Sequence, residues 1–221
     1  MSGSCVLFSG GLDSAVLLAL ERQQCAPVWP IHVRSGLAWE DGEADAIRRL
    51  LSSPPFAGRI EPLITLGLDM RDVYSAGHWA VQGRPPAYDT PDEDVYLEGR
   101  NITLIAKAGV MCARLGVDRL ALGPLAGNPF PDATPEFFAA MSRAMSLGLG
   151  KPLKIVAPLS TLHKEDVIRK GIELGVPLDL TLSCMNPVDS RPCGHCSKCR
   201  ERDDAFRLAG LQSPNRQIAE S

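Results

Sequence analysis

A glycine turn flanked by two serines lies near the start of the chain, in the string Phe8-Ser9-Gly10-Gly11-Leu12-Asp13-Ser14. It follows an apolar run typical of a buried strand and precedes apolar residues at helical spacing. Amide groups at the start of such a helix bind anions, and glycines let the backbone approach a phosphate closely. The string lacks the lysine of a Walker loop and the third glycine of the dinucleotide fingerprint. We therefore expect a phosphate site of another class, the alternative being an ordinary turn capped by Asp13 or Ser14.

Asp13 lies inside this turn. A carboxylate beside a polyphosphate repels it, unless a cation lies between them or the carboxylate turns back to cap the helix. Mg²⁺ is commonly bound through one or two carboxylates together with substrate phosphates. Mg²⁺ is therefore the expected companion of a polyphosphate at this turn.

Four of the seven cysteines fall between residues 184 and 199, with the spacing C-x8-C-x2-C-x2-C. Four thiolates at short spacings suit a tetrahedral Zn²⁺, and four protein ligands leave no open position, so this zinc would be structural. The alternatives are an iron–sulfur cluster and, less readily, disulfides. His195, between two cysteines, is interpreted as a solvated loop residue. The predicted metal ligands are Cys184, Cys193, Cys196 and Cys199.

Alternating strand and helix patterns place these residues in an α/β fold with a doubly wound, mostly parallel sheet and right-handed crossovers. The predicted strands cover 4–8, 28–33, 59–66, 119–123 and 153–157. The predicted helices cover 14–24, 40–51, 102–115, 135–147 and 164–174, and residues 76–98 are predicted to form a long loop. We expect a nucleotide-binding domain over residues 1–180 and a small cysteine-containing segment with a tail over residues 181–221.

The composition is that of an ordinary globular protein, with 45% hydrophobic and 22% charged residues. A net charge of −3 provides no overall attraction to nucleic acid, so a small-molecule substrate is expected instead. The apolar runs are too short to cross a bilayer, and the first residues lack the basic region of a secretory signal. We expect a cytoplasmic protein without a membrane contact.

The string from Ser9 to Ser14 resembles the signature of the PP-loop ATP pyrophosphatases. A Gly-Arg-Asn turn at 99–101 and the four-cysteine segment follow it along the chain. In this order the motifs resemble the 7-cyano-7-deazaguanine synthase family over nearly the whole chain, most closely at 8–18, 98–108, 134–147 and 158–199. The resemblance implies an adenine nucleotide alpha hydrolase-like fold and an ATP-dependent ligase that adenylates a carboxylate.

The implied substrates are 7-carboxy-7-deazaguanine and ammonia, the implied product is the nitrile precursor of queuosine, and the implied cofactors are ATP, Mg²⁺ and Zn²⁺. A homodimer is also suggested. The candidate catalytic residues are Asp13, Arg100, Lys164 and Asp132. Arg100 and Lys164 would face phosphate or leaving pyrophosphate, the alternative being surface cations. The implied ATP-binding residues are Phe8, Ser9, Gly10, Gly11, Leu12, Asp13, Ser14, Ala15, Val16, Leu17 and Leu18.

Two segments depart from the family pattern, at 33–40 and at 128–134, although the second keeps Asp132. Both are expected near the carboxylate acceptor. An alternative is therefore a related ligase that acts on another carboxylate, such as a protein or peptide. A tRNA sulfur transferase is less favoured because most cysteines are assigned to zinc. A non-catalytic zinc module is disfavoured by the intact glycine turn.

Overall fold

Five parallel strands form the sheet of the protein, whose computed structural model describes residues 3–214. The strands are β1 (Ser4–Leu7), β2 (Val28–Arg34), β3 (Ile64–Gly67), β4 (Arg119–Ala121) and β5 (Lys154–Val156). Their order across the sheet is β3-β2-β1-β4-β5, and each neighbouring pair is parallel. Residues 1–2 and residues 215–221 of the predicted tail lie outside the described part of the chain.

Helices cover both faces of this sheet. They are α1 (Leu12–Gln24), α2 (Glu40–Leu51), α3 (Arg71–Tyr74), α4 (Trp79–Gln82), α5 (Arg100–Leu115), α6 (Pro135–Leu149), α7 (Lys164–Glu173) and α8 (Ser197–Leu208). Successive residues of β1 point to opposite faces, so Val6 packs in one buried cluster with α1, α2, α7 and α8, and Cys5 packs in another with α5 and α6. This arrangement confirms the predicted doubly wound α/β fold.

The strand order reverses beside β1, because the chain runs outward through β2 and β3 and then returns to place β4 on the other side. A crevice opens at the carboxyl ends of the strands where such a reversal occurs, and it is the usual ligand site of open α/β sheets. The glycine turn follows β1 directly. The topology thus places the predicted phosphate site at this crevice.

Two predicted elements differ from the structure. The predicted strand at 59–66 begins five residues too early, since β3 covers Ile64–Gly67 and the residues before it are turns and irregular chain that follow the fully buried Phe56. The predicted loop at 76–98 contains α4 and a short 3₁₀ helix, Asp92–Val95. Indole stacking of Trp39 on Trp79, with ring centres 5.8 Å apart, packs this segment against the chain before α2.

The cysteine-containing segment includes α8, whose Ala205 and Phe206 belong to the same buried cluster as α1. The division between residues 180 and 181 stays a prediction. Along residues 3–214, no helix is both long and apolar enough to cross a membrane.

A buried ion pair joins α1 to β4. Glu21, with no exposed surface, accepts hydrogen bonds at 2.8 Å from Nε and Nη2 of Arg119 and at 2.6 Å from the Ser4 hydroxyl. Replacing Arg119 with Met is expected to lower the free energy of unfolding by about 3 to 5 kcal/mol, because the carboxylate stays buried without its cation. Urea denaturation measures this change, and Arg114→Met, at an exposed position of α5, is the matched control.

The stability that Arg119→Met loses should depend on pH, which gives a second measurement of the Glu21–Arg119 pair. Burial acts to raise the pKa of Glu21, but the bonds from Arg119 and Ser4 outweigh burial and hold the pKa below its ordinary value of 4.5. A depressed carboxyl pKa stabilises the fold above the unfolded-state pKa, and this stabilisation is lost as the pH falls through the folded-state pKa. The gap between wild type and Arg119→Met should therefore narrow in acid. An equal gap at neutral and acid pH would contradict the assignment.

Candidate active site and cysteine cluster

The glycine turn forms a tight loop between β1 and α1. Gly10 has a φ of +75°, and a Cβ atom there would lie 3.0 Å from a side-chain carbon of Ile47. The Ser14 hydroxyl donates to the Gly11 carbonyl at 3.0 Å, which fixes the loop internally. Helix α1 begins at Leu12 without a side-chain cap. Its first amide groups are therefore free to bind an anion.

Lys164 connects this loop to two carboxylates. Its ammonium group donates to Asp13 Oδ2 at 3.0 Å and to Glu201 Oε1 at 2.7 Å. Burial acts to lower the pKa of Lys164, but the two carboxylates outweigh it and raise the pKa above its ordinary value. Burial likewise opposes ionisation of Glu201, yet Lys164 and Lys198 lower its pKa to about 2. The ammonium group of Lys164 therefore stays protonated beside the glycine turn.

A cavity of about 840 Å³ opens above the loop. Its lining includes residues of the glycine turn, of β2, of the segment after β4, and of α5, α7 and α8. Both segments that depart from the family pattern contribute to it, through Val33 and Trp39 in the first and through Asn128, Phe130 and Asp132 in the second. The cavity is large enough for a nucleotide or another ligand of several hundred cubic ångströms.

Glu43, Trp39 and Arg100 form one wall of the cavity. The guanidinium carbon of Arg100 lies 5.7 Å from the centre of the Trp39 ring. Glu43 is 9% exposed, and its burial raises the pKa to about 7 although Arg100 acts to lower it. A carboxyl group with that pKa can accept or release a proton near neutral pH.

His32 contributes a hydrogen-bond acceptor to the same cavity. Its Nδ1 lies 3.2 Å from the Phe8 carbonyl oxygen, which can only accept, so Nδ1 carries the proton. Burial lowers the pKa of His32, and the ring is therefore neutral near pH 7. The buried Nε2 has no hydrogen-bond partner among residues 3–214. A ligand N–H group is the partner that would satisfy it.

Asp132 is a structural anchor in this site. It is 6% exposed, and its Oδ2 accepts from the Asn101 backbone amide at 2.9 Å, in the first turn of α5. The Asn101 side-chain amide also donates to the Asp132 carbonyl at 2.9 Å. These bonds tie the segment after β4 to the start of α5, where Arg100 lies. The carboxylate thereby helps to set the position of Arg100.

The four cysteine sulfur atoms lie within 4.8 Å of one another. Sγ–Sγ distances are 3.5 Å for Cys184–Cys193, 3.6 Å for Cys196–Cys199, 3.9 Å for Cys184–Cys196 and 4.0 Å for Cys193–Cys199. A tetrahedral metal with bonds of about 2.3 Å to sulfur requires sulfur atoms about 3.8 Å apart. The group can therefore hold a metal ion, as predicted. Backbone amides of Asn186 and Cys193 donate to Cys184 Sγ, each at 3.3 Å, which supports a thiolate.

The cysteine cluster borders the cavity. Cys196 is the N-cap of α8, and the next turns of that helix carry Lys198 and Glu201, of which Glu201 accepts hydrogen bonds from both Lys164 and Lys198. The amide of Ser197, which follows Cys196, donates to the Pro86 carbonyl at 3.2 Å. The start of α8 is thereby tied to the segment 76–98, part of which lines the cavity. Helix α8 thus connects the cysteine cluster, through Glu201 and Lys164, to Asp13 of the glycine turn.

The comparisons with known proteins agree with this geometry. The family model described as "Queuosine biosynthesis protein QueC" matches residues 3–210. The chain belongs to the QueC family. A 7-cyano-7-deazaguanine synthase of Xanthomonas campestris pv. campestris is 32% identical over 222 residues, which cover 97% of each chain. The synthase of Anaeromyxobacter dehalogenans is 33% identical over 218 residues, covering 95% of this chain and 93% of that one.

Solved structures support the fold of this QueC-family chain. A 4-thiouridine synthetase, solved as an RNA complex with bound ATP, aligns with a TM-score of 0.51 at 17% identity, covering 99% of this chain and 52% of that chain. The U34-tRNA thiolase NcsA from Methanococcus maripaludis, solved with its [4Fe-4S] cluster, aligns with a TM-score of 0.50 at 13% identity, covering 99% and 70%. At these identities the likeness bears on the fold alone.

The structure brings most of the predicted site residues of this QueC-family chain together. Asp13, Arg100, Lys164 and Asp132 all line the cavity. Within the predicted ATP-binding string, residues 15–18 are instead fully buried and pack α1 on the sheet. The roles assigned to all these residues stay predictions.

Sequence reasoning missed three cavity residues, Glu43, His32 and Glu201. The only sequence signal for His32 is its place near the carboxyl end of a strand beside the glycine turn. Glu43 and Glu201 lie among other charged residues of amphipathic helices, where nothing in the local pattern marks them out.

Proposed function

We propose that this QueC-family protein uses ATP to adenylate 7-carboxy-7-deazaguanine and combines it with ammonia to form 7-cyano-7-deazaguanine. The observation that carries the proposal is the uncapped start of α1 beside the Lys164 ammonium, in a cavity that also receives both segments expected near the acceptor. Further support comes from the two relatives that match nearly the full chain, since both are named 7-cyano-7-deazaguanine synthase. These relatives are named for the deazapurine reaction, which favours it over a protein or peptide acceptor.

In the proposed reaction a substrate carboxylate oxygen attacks the α-phosphorus of ATP, and pyrophosphate leaves. The free amides at the start of α1 would bind the phosphates, and Lys164 would stabilise the charge that grows on the leaving pyrophosphate. Arg100, which lines the same cavity, would hold an anionic group of the substrate or the nucleotide. No protein nucleophile is required, because positioning and charge stabilisation accelerate such a transfer.

The side chain of Asp13 in the glycine turn is suited to bind Mg²⁺. One of its carboxylate oxygens bonds to Lys164, whereas Oδ1 is buried without a hydrogen-bond partner among the described residues. An unpaired carboxylate oxygen beside a phosphate site is suited to an oxygen-preferring cation. Asp13 would then hold Mg²⁺, which neutralises phosphate charge when bound.

Zn²⁺ is the metal proposed for the cysteine cluster. Four cysteine ligands would fill the coordination shell of the metal, so the metal would have a structural role and would hold the start of α8.

We further propose that the chain divides into a nucleotide-binding domain at 1–180 and a cysteine segment at 181–221, and that the protein is cytoplasmic. Asp132 is proposed as a positioning residue for Arg100.

The test is the release of AMP and pyrophosphate from ATP and Mg²⁺, with and without 7-carboxy-7-deazaguanine and ammonium, while the product is followed by mass. A nitrile that forms only in the full mixture would support the proposed reaction. AMP release with a different carboxylate, or no nitrile from a protein that binds ATP, would overturn the choice of acceptor. A protein that binds no ATP would overturn the adenylation chemistry as well.

A further inference from the structure

We propose that Glu43 is the general base of the amide-forming and nitrile-forming steps, and that it accepts one proton from the ammonia-derived nitrogen in each step. This inference rests on the proposed function. It adds a catalytic residue that neither the glycine turn nor the cation network supplies, since both act on phosphate charge.

The position of Glu43 is the first observation. The residue lies on α2 directly behind the glycine turn, where its carbonyl oxygen would be 3.2 Å from a Cβ atom placed on Gly10. Its side chain lines the cavity between that turn and the wall formed by Trp39 and Arg100. A base at this place lies between the phosphate-binding turn and a segment expected near the acceptor.

The second observation is that three other carboxylates that line the cavity already have partners. Asp13 and Glu201 share Lys164, and Asp132 binds the Asn101 amide. Each of these carboxylates is thus already engaged in an ion pair or in an anchoring hydrogen bond. Glu43 forms no ion pair within residues 3–214, and the Trp39 side chain is the hydrogen-bonding group beside it.

The charged groups around Glu43 come from three elements. Arg100 on α5 and Arg34 on β2 favour the ionised carboxylate, whereas Glu40 on α2 and burial itself disfavour it. Neutral His32 adds no charge from β2. The balance leaves the pKa of Glu43 at about 7, in the range that suits a general base at neutral pH.

The chemistry requires such a base twice. When ammonia attacks the acyl adenylate, a C–N bond forms, the C–O bond to AMP breaks, and one N–H proton must leave to give the amide. In the second adenylation the amide oxygen attacks the α-phosphorus of another ATP, pyrophosphate leaves, and the nitrogen, now acidic, loses the first of its two protons to solvent to give a neutral imidoyl adenylate. The nitrogen loses its last proton to Glu43 as the C–O bond breaks and the C≡N bond forms. In both the amide-forming and the nitrile-forming step AMP leaves with the electron pair of the C–O bond, and Glu43 takes one proton and later releases it to solvent. No oxidant or reductant is required.

The decisive variant is Glu43→Gln, measured in two assays. Substrate-dependent exchange of pyrophosphate into ATP reports adenylation of the carboxylate, in which no N–H proton is transferred, and it should stay within about threefold of wild type. Single-turnover formation of amide and nitrile should fall by about 10²- to 10⁴-fold. Glu43→Asp should restore part of this loss, and Asp41→Asn, at an exposed position of the same helix, should behave as wild type.

A pH profile separates catalysis from structure. With the concentration of free NH₃ held constant at each pH, wild-type amide formation should decline below about pH 7 as Glu43 becomes protonated, and Glu43→Gln should lack this limb. Equal loss of exchange and amide formation in Glu43→Gln, or an unchanged rate of amide formation, would overturn the assignment. Absence of deazapurine-dependent exchange in the wild type would instead overturn the proposed function.

Discussion

Replacing Lys164 with Met is expected to lower the rate of pyrophosphate exchange by about two to three orders of magnitude, the usual effect of removing one preorganised charge-stabilising donor. Lys164 provides the fixed cation nearest to the turn, 3.0 Å from Asp13. Without it, the Asp13 carboxylate would face the phosphates with its charge unbalanced. Binding of ATP should weaken by a smaller factor, because the amides of α1 remain.

The matched control is Lys170→Met. Lys170 lies on the same helix but forms an exposed pair with Glu173, so its loss should leave exchange unchanged. Lys164→Arg keeps the charge and should retain more exchange activity than Lys164→Met. Thermal unfolding of each variant is measured in parallel. If Lys164→Met exchanges pyrophosphate at the wild-type rate, Lys164 is a structural ion-pair residue only.

If the cysteine cluster holds the proposed metal, loss of that metal is expected to abolish the proposed adenylation activity, because the position of α8 depends on it. Cys196 is both a sulfur ligand and the N-cap of α8, and that helix delivers Glu201 to Lys164 at 2.7 Å. Structural zinc contributes apparent binding free energies of about 10 to 16 kcal/mol, which here would act on the segment from Cys184 to Cys199. Cys196→Ser should therefore lose the metal, unfold at a lower temperature and bind ATP at least tenfold more weakly.

Metal content by mass spectrometry, thermal unfolding and ATP binding by calorimetry check this expectation. Cys25→Ser is the control, because Cys25 lies outside the cluster and serine can keep its hydrogen bond to Glu21. A Cys196→Ser variant that lacks metal but binds ATP as wild type would show that α8 holds its place without the cluster. Iron instead of zinc in the native protein would correct the choice of metal.

The five predicted helices, and all predicted strands except the third, agree with the structure to within two residues at each end, whereas α3, α4 and α8 were not predicted. Helix α2 has its predicted bounds, and α1 begins two residues before its predicted start at Ser14. Helical periodicity is repeated over three turns or more, so it marks each element strongly. Strand β3 has only four residues, Ile64–Gly67, and the apolar residues before it are turns that pack on the core. A short apolar run cannot distinguish these two cases.

The glycine turn and the cysteine cluster were the parts of the site that the sequence determined by itself. Each is local: its residues lie within a few positions of one another, so their types and spacing already express the chemistry. Order along the chain also determined the parallel sheet and hence the edge at which the turn lies.

Only the tertiary structure decided which distant side chains join that turn. Lys164 bonds to Asp13, 151 residues before it in the chain, and to Glu201, 37 residues after it. Glu43 reaches the cavity through the packing of α2 behind the turn. The pKa of Glu43 likewise depends on burial and on Arg100 of another helix. Burial and through-space charge depend on how helices pack on the sheet, and the spacing of residues in one segment carries no record of them.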